Sequence, residues 1–285
     1  MKKSILVILG VDSHLERIKK CASSIKAVFE DSVDIGIATF GNSFVEPSKK
    51  LENFSSKNKF IFYDSPRQNF LDLDPNNKNQ GFVTTFREFH VCELLGNLLI
   101  SKHYYDLGYD EVFLLHNDLF VVRNFLPVYR KNMVSNWAFV VPYTWHGSAK
   151  AKISLKELMS SVHKFVKPES GPRFTQTILI FNKQLLKKIS QKISNQKSFY
   201  EDFLINYNLH GDIALTEIWK DFFGFEGQPI EENILLDSCL PHPYNIEAII
   251  KNSNITHLHG KSIYCKYENT IIDLIDKIKE EDKKR

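Results

Sequence analysis

The chain has 285 residues, 43% of them hydrophobic and 25% charged, with a net charge of +3 at neutral pH. That length suits one large α/β domain or two small ones, and the balance of residues is ordinary for a soluble globular protein. The charge is too small for a nucleic-acid footprint. The four cysteines form no C-x-x-C pair, which argues against a zinc site and a disulfide scaffold and fits a reducing compartment.

The amino terminus, MKKSILVILGVDSH, imitates a secretory leader. Its apolar run from Ile5 to Leu9 is too short for one, and no small-residue cleavage site precedes Asp12, so it reads as a first strand over Ser4–Gly10. A helix follows over Leu15–Phe29, where Leu15, Ile18, Ala22, Ile25 and Phe29 recur at three-to-four spacing. Val33–Phe40 is a second strand and Lys59–Tyr63 a short third. Strand, helix and strand at this spacing make a βαβ unit, so parallel neighbours are expected in the sheet. Residues 64–81 are turn-rich; Asp72 and Asp74 follow no strand and read as solvated rather than metal-binding. Thr84–Leu107 is an amphipathic helix carrying Arg87 near its start, and Arg87, like Arg67 before it, could reach a diphosphate.

The stretch Tyr109–Arg123, YDEVFLLHNDLFVVR, organises the rest. Its apolar run breaks at His116, Asn117 and Asp118 and resumes at Leu119. A carboxylate in mid-strand would be buried unpaired at high cost. The strand is therefore expected to end at Leu115, leaving Asp118 at its carboxyl edge, where open α/β sheets bind ligands.

Farther on, Trp137–Pro142 reads as a strand, Ile153–Val166 as a helix, Thr175–Phe181 as a strand and Lys183–Ile193 as a short basic helix. Lys150, Lys152, Lys156, Lys164 and Lys167 form a basic region, either a solvated face or a surface for an anionic acceptor or lipid headgroup. Asp212 falls in the first turn of a helix over Ile213–Phe223, where a negative charge suits the helix dipole. Residues 225–256 read as irregular, Ile255–Gly260 as a short strand leading to Lys261, and Ile271–Ile278 as an amphipathic helix. No run approaches the ~20 apolar residues of a membrane span, so a cytoplasmic protein is expected.

Three polar clusters thus end apolar elements: His116–Asn117–Asp118, Asp212, and His257 with Lys261. Singly, each has a plain explanation as a turn, a cap or a core histidine. Together they offer carboxylate oxygen and imidazole nitrogen beside a basic group, the donor set of a divalent ion bridging a nucleotide diphosphate. Mg²⁺ and Mn²⁺ take few protein ligands and complete their shells with phosphate and water; an imidazole tilts the choice towards Mn²⁺. Neither G-x-G-x-x-G nor G-x-x-x-x-G-K-[ST] occurs, against dehydrogenase and P-loop chemistry.

The stretch YDEVFLLHNDLFV resembles the Asp-x-Asp strand of GT-A-fold glycosyltransferases, HGDIALTEIWKDFFGF resembles the acidic helix start on their acceptor side, and ITHLHGKS is similar to their late histidine element. The resemblance covers about residues 1–265 and rests on the order and spacing of short motifs. It implies an α/β GT-A fold with a mixed, mostly parallel sheet flanked by helices. One domain is expected over 1–285, with a nucleotide-binding half (1–120), an acceptor-side half (121–265) and a terminal amphipathic helix (266–285).

It further implies transfer of a sugar from a nucleotide sugar to a glycan or lipid-linked glycan acceptor, in bacterial surface polysaccharide synthesis, with peripheral membrane association. Asp118 and His257 would hold the metal (Mn²⁺ or Mg²⁺), Asp212 would be catalytic, and His116, Asn117, Arg87 and Lys261 would contact the nucleotide. One departure stands out: His116 occupies the place of the motif's first acid. The alternatives are a sugar nucleotidyltransferase, disfavoured by a first loop (Gly10–His14) without lysine or arginine, and a non-catalytic nucleotide-sugar-binding module of the same fold.

Overall fold

A computed structural model describes residues 2–39, 48–64, 86–132, 178–193, 235–237, 254–257 and 267–283; for 86–95, 131–132, 235–237, 257 and 283 it describes the backbone alone. The expected elements at 137–142, 153–166 and 213–223 lie outside these residues.

The first strand, β1 (Ser4–Gly10), is buried along its whole length. A continuous apolar run of this kind is what a parallel sheet covered on both faces requires. Helix α1 (Leu15–Phe29) follows and buries Ile18, Cys21, Ala22, Ile25 and Phe29, the stripe that the sequence spacing traces. Strand β2 (Asp34–Thr39), helix α2 (Lys49–Asn58) and strand β3 (Ile61–Tyr63) come next. Then come helix α3 (Phe86–Asp106), strands β4 (Glu111–His116) and β5 (Leu119–Val121), and helix α4 (Leu126–Asn132). Strand β6 (Ile178–Asn182), helix α5 (Lys183–Lys192), strands β7 (Leu235–Asp237) and β8 (Ile255–His257) and helix α6 (Thr270–Lys283) complete the described elements.

Two sheets result. The larger runs β3-β2-β1-β4-β6, parallel through β4, with β6 antiparallel to it at the edge. The smaller runs β5-β8-β7; β5 is antiparallel to β8, and β7 is parallel to β8. This is a mixed, mostly parallel sheet flanked by helices, as expected. The reading of 225–256 as irregular needs correction, because it contains β7. A three-residue strand between prolines has no periodicity of its own and is held by its partner.

The central apolar stretch divides between the two sheets. Its first half, as β4, lies beside β1, and its second half, as β5, opens the small sheet. One core joins them: Leu6 and Ile8 of β1, Phe113 and Leu115 of β4, Leu119 and Val121 of β5 and Ile255 of β8 all belong to it, with the buried face of α1. The opposite face of β5, Phe120 and Val122, packs on Ile271, Ile275 and Ile278 of α6. The free edge of β5 is closed by α1, since the Val121 N–H donates to Ser24 Oγ at 3.0 Å.

The end of the large sheet away from the site is pinned by a buried charge. Glu111 is 2% exposed, receives Ser4 Oγ at 2.6 Å and Arg130 Nη2 at 2.7 Å, and lies near the Lys2 amine. Burial by itself would raise its pKa; hydrogen bonds from Arg130 and Ser4 and the neighbouring positive charges outweigh that and hold it below the usual carboxylate range. On the sheet face, Tyr104 of α3 donates to the carbonyls of Ile61 (3.0 Å) and Ile37 (3.4 Å), tying β2 to β3. Gly36 makes room for that ring: a Cβ there would stand 2.7 Å from Tyr104 Oη.

Candidate functional site

The site lies where β1 and β4 end and the small sheet begins. In register, His116 closes β4 opposite Leu9 of β1. The chain then turns through Asn117 and Asp118 and enters β5 at Leu119. Asn117 is 7% exposed. Its Nδ2 donates to the Leu9 carbonyl at 2.8 Å and lies 3.3 Å from His14 Nδ1. A carbonyl can only accept, so Nδ2 is the donor there, and its second hydrogen suits an Nδ1 lone pair on a His14 tautomer protonated at Nε2. Gly10 permits this approach: a Cβ there would meet Ile18 Cδ1 at 2.8 Å and Asn117 Nδ2 at 3.2 Å. Asn117 therefore fastens the turn to the end of the central strand.

Asp118 is half-buried on the other side of that turn. Burial, and secondarily the Asp118 charge, push the Cys21 thiol far up. Asp12, just past β1, accepts the backbone N–H groups of Lys50 (3.1 Å) and Leu51 (3.0 Å) and so caps α2. Thr39 and Ser48 each donate to Asp64 at 2.6 Å. The carboxyl edge of the large sheet is thus built from polar groups that brace one another.

His257, the last residue of β8, pairs in register with Leu119, the residue after Asp118. It also pairs with Asp237, the last residue of β7. Leu119, Val121 and Ile255 belong to the core shared with α1.

Arg87 lies in the first turn of α3. A short turn at Leu107–Asp110 joins α3 to the start of β4, so the helix runs antiparallel to the strand and begins over the carboxyl edge, on the site's side. Asp212 and Lys261 lie outside the described residues, as does the basic region of 150–167. Among the described side chains no group of three or more His, Cys, Asp or Glu gathers to hold a metal, a set that excludes His257 and Asp237, whose backbones alone are described. Among the described residues no helix is long and apolar enough to cross a membrane.

No protein-family model matches the sequence, and no curated protein matches it. Solved structures do. The galactosyltransferase LgtC, in a complex with donor and acceptor sugar analogues, superposes with a TM-score of 0.53 at 12% identity, covering 96% of this chain and 95% of that one. The glycosyltransferase GlyE of Streptococcus pneumoniae superposes at 0.50 and 12% identity, over 95% of this chain and 63% of GlyE. Mouse xyloside xylosyltransferase 1 gives 0.50 at 11% identity, over 91% and 97%. At such identities the likeness is one of fold, and the fold is that of the GT-A glycosyltransferases.

Proposed function

We propose that the chain is a glycosyltransferase that moves a sugar from a nucleotide-diphosphate sugar to a hydroxyl acceptor. The observation that carries this reading is the register of β5 with β8, which sets His257 beside the residue after Asp118 at the carboxyl edge of a GT-A sheet. A carboxylate and an imidazole in that place fit a divalent ion of the Mn²⁺ or Mg²⁺ kind, which takes few protein ligands and leaves the rest to phosphate and water. Asp118 and His257 would hold it, and when bound it would offset the negative charge that develops on the departing diphosphate.

The remaining roles belong to the chain itself. Arg87, at the start of α3, is suited to the diphosphate, as is Lys261. His116, half-buried at the end of β4, would contact the ribose. Asn117 acts by holding the turn. Asp212 would either accept the proton of the attacking hydroxyl or line the sugar; the first role gives inversion and the second is compatible with retention. The acceptor would be a bacterial surface glycan or its lipid-linked precursor, met at the cytoplasmic face of the membrane through the basic region of 150–167.

The test is a screen of nucleotide sugars for thermal stabilisation, since binding to the folded state alone raises the melting temperature, followed by hydrolysis and transfer assays with the donor found. Asp118→Ala is expected to lower turnover by about 100-fold or more with the fold unchanged, and Asp212→Asn to lower it comparably. Wild-type turnover in Asp118→Ala would refute the reading. Donor binding without any hydrolysis or transfer would leave a binding module in its place.

A further inference from the structure

We propose that the outward face of α5, with the turn between α3 and β4 beside it, docks the protein on an anionic lipid surface. This deepens the reading given above, on which it rests for a lipid-linked acceptor, and sets the contact on α5 instead of on 150–167.

Helix α5 is KQLLKKISQK, with four lysines, two glutamines and no acid. Its apolar stripe of Leu185, Leu186 and Ile189 is buried, as is Ile193 just beyond it. The outward half is left to the exposed Lys183, Gln184, Lys187, Lys188, Gln191 and Lys192. At 3.6 residues per turn, Lys183 and Lys187 form one row and Lys188 and Lys192 another, with the glutamines between. Like charges four residues apart destabilise a helix, and a positive charge in its first turn opposes its dipole. The buried stripe therefore holds the helix while the lysines work against it. An anionic partner laid along the face relieves that repulsion.

The basic face continues onto the amino edge of the large sheet. Asn182 caps α5 by accepting the Leu185 N–H at 2.9 Å, and it pairs in register with Glu111, the first residue of β4. Beside it Lys183 meets Asp110 at 2.8 Å, and Asp110 also accepts the Lys3 N–H at 3.2 Å. The exposed Lys2, Lys3 and Lys183 thus face two acids, of which Glu111 is buried and held by Arg130. The end of α3 adds apolar groups. Leu107 is 47% exposed, the exposed large hydrophobic among the described residues, and half-buried Tyr105 lies within electrostatic reach of Lys183.

These groups fit a bilayer interface. Anionic headgroups attract amines, a tyrosine suits the headgroup level, and an exposed leucine gains cover. Every cation of α5 is a lysine, a flexible point charge suited to a diffuse headgroup layer, where recognition of a fixed carboxylate or phosphate favours the fork of arginine. The face begins at the amino edge of the sheet, so docking there leaves the carboxyl edge open.

Flotation of the full chain with vesicles tests this. The vesicles are phosphatidylcholine alone or with about 30% phosphatidylglycerol, at ~50 and ~300 mM NaCl. Wild type should float with the anionic vesicles at low salt, leave them at high salt and ignore the neutral ones. A lysine near such a surface contributes about fivefold to partitioning, so Lys187→Gln with Lys188→Gln should bind about 25-fold more weakly. Leu107→Ser should bind several-fold more weakly. Lys57→Gln with Lys277→Gln, exposed on α2 and α6, makes the same change in net charge and should bind as wild type does. Circular dichroism melts report folding, and glutamine preserves helix propensity. An equal loss in the Lys57 and Lys277 pair overturns the proposal, because attraction would then follow net charge and not this face. Failure of wild type to bind anionic vesicles also overturns it, and capture by dextran sulfate in that case assigns the face to a soluble acidic polymer. The donor screen on the same variants separates the two readings: donor stabilisation without vesicle binding leaves the transferase standing and removes the docking face, and vesicle binding without any donor does the reverse.

Discussion

Replacing Asn117 by alanine probes how the site is held, because this side chain bridges the turn to β1. The Nδ2 bond to Leu9 is 2.8 Å long and shielded from water, so truncation orphans a carbonyl at the end of the central strand. An unsatisfied buried partner costs about 1–3 kcal/mol; the longer contact to His14 adds little. A loss near 2 kcal/mol is expected from urea unfolding. Asn117→Asp should cost more, since it sets a second acceptor, and a charge, against the same carbonyl.

The functional effect follows from position. Asp118 is the next residue, and a reacting group displaced by about 1 Å can lose on the order of 100-fold in rate. Asn117→Ala should therefore weaken Mn²⁺ binding and donor hydrolysis by more than its stability loss explains, in protein that is still folded under assay conditions. A variant within about 0.5 kcal/mol of wild type with unchanged Mn²⁺ affinity would refute the idea that this amide positions Asp118.

Two further outcomes concern the frame. Gly36→Ala brings a methyl to 2.7 Å from Tyr104 Oη and 2.9 Å from Cζ; overpacking of this kind costs about 1–3 kcal/mol, and pairing it with Tyr104→Phe should recover part of that loss in a double-mutant cycle. The Glu111 carboxyl is held below its unfolded pKa of about 4.3. Its contribution to stability is therefore complete above that value and lost as pH falls through the lower folded one. Glu111→Gln should flatten the acid limb of the stability profile. Because Arg130 is 38% exposed, its cost at neutral pH should be about 2 kcal/mol, under the ~3–5 kcal/mol of a wholly buried pair; an unaltered acid limb would show that Glu111 is not the group responsible.

What the sequence made legible follows the range of the forces involved. Helix α1 is predicted to its ends because its apolar stripe recurs over four turns, and the break between β4 and β5 is legible in the polar run His116–Asn117–Asp118, although β4 ends at His116, one residue beyond the expected Leu115. Helix α2 escapes notice: KKLENFSSKN buries only Leu51 and Ser55 fully, and its start is capped by Asp12 from far upstream. The three residues of β7 owe their place to partners distant in the chain, so no local pattern announces them; the apolar run of β6 is legible as a strand, and only its antiparallel pairing with β4 is not.

Strand β5 has a peculiar dependence. Its hydrogen-bonding partner is β8, synthesised far later, and its outer face is roofed by α6 later still. Until the ribosome has released those segments, Leu119–Val121 presents an unpaired edge of apolar residues, the kind of surface on which incomplete chains associate with one another. The turn that carries Asp118 is thus made early and stays unfinished until β8 arrives.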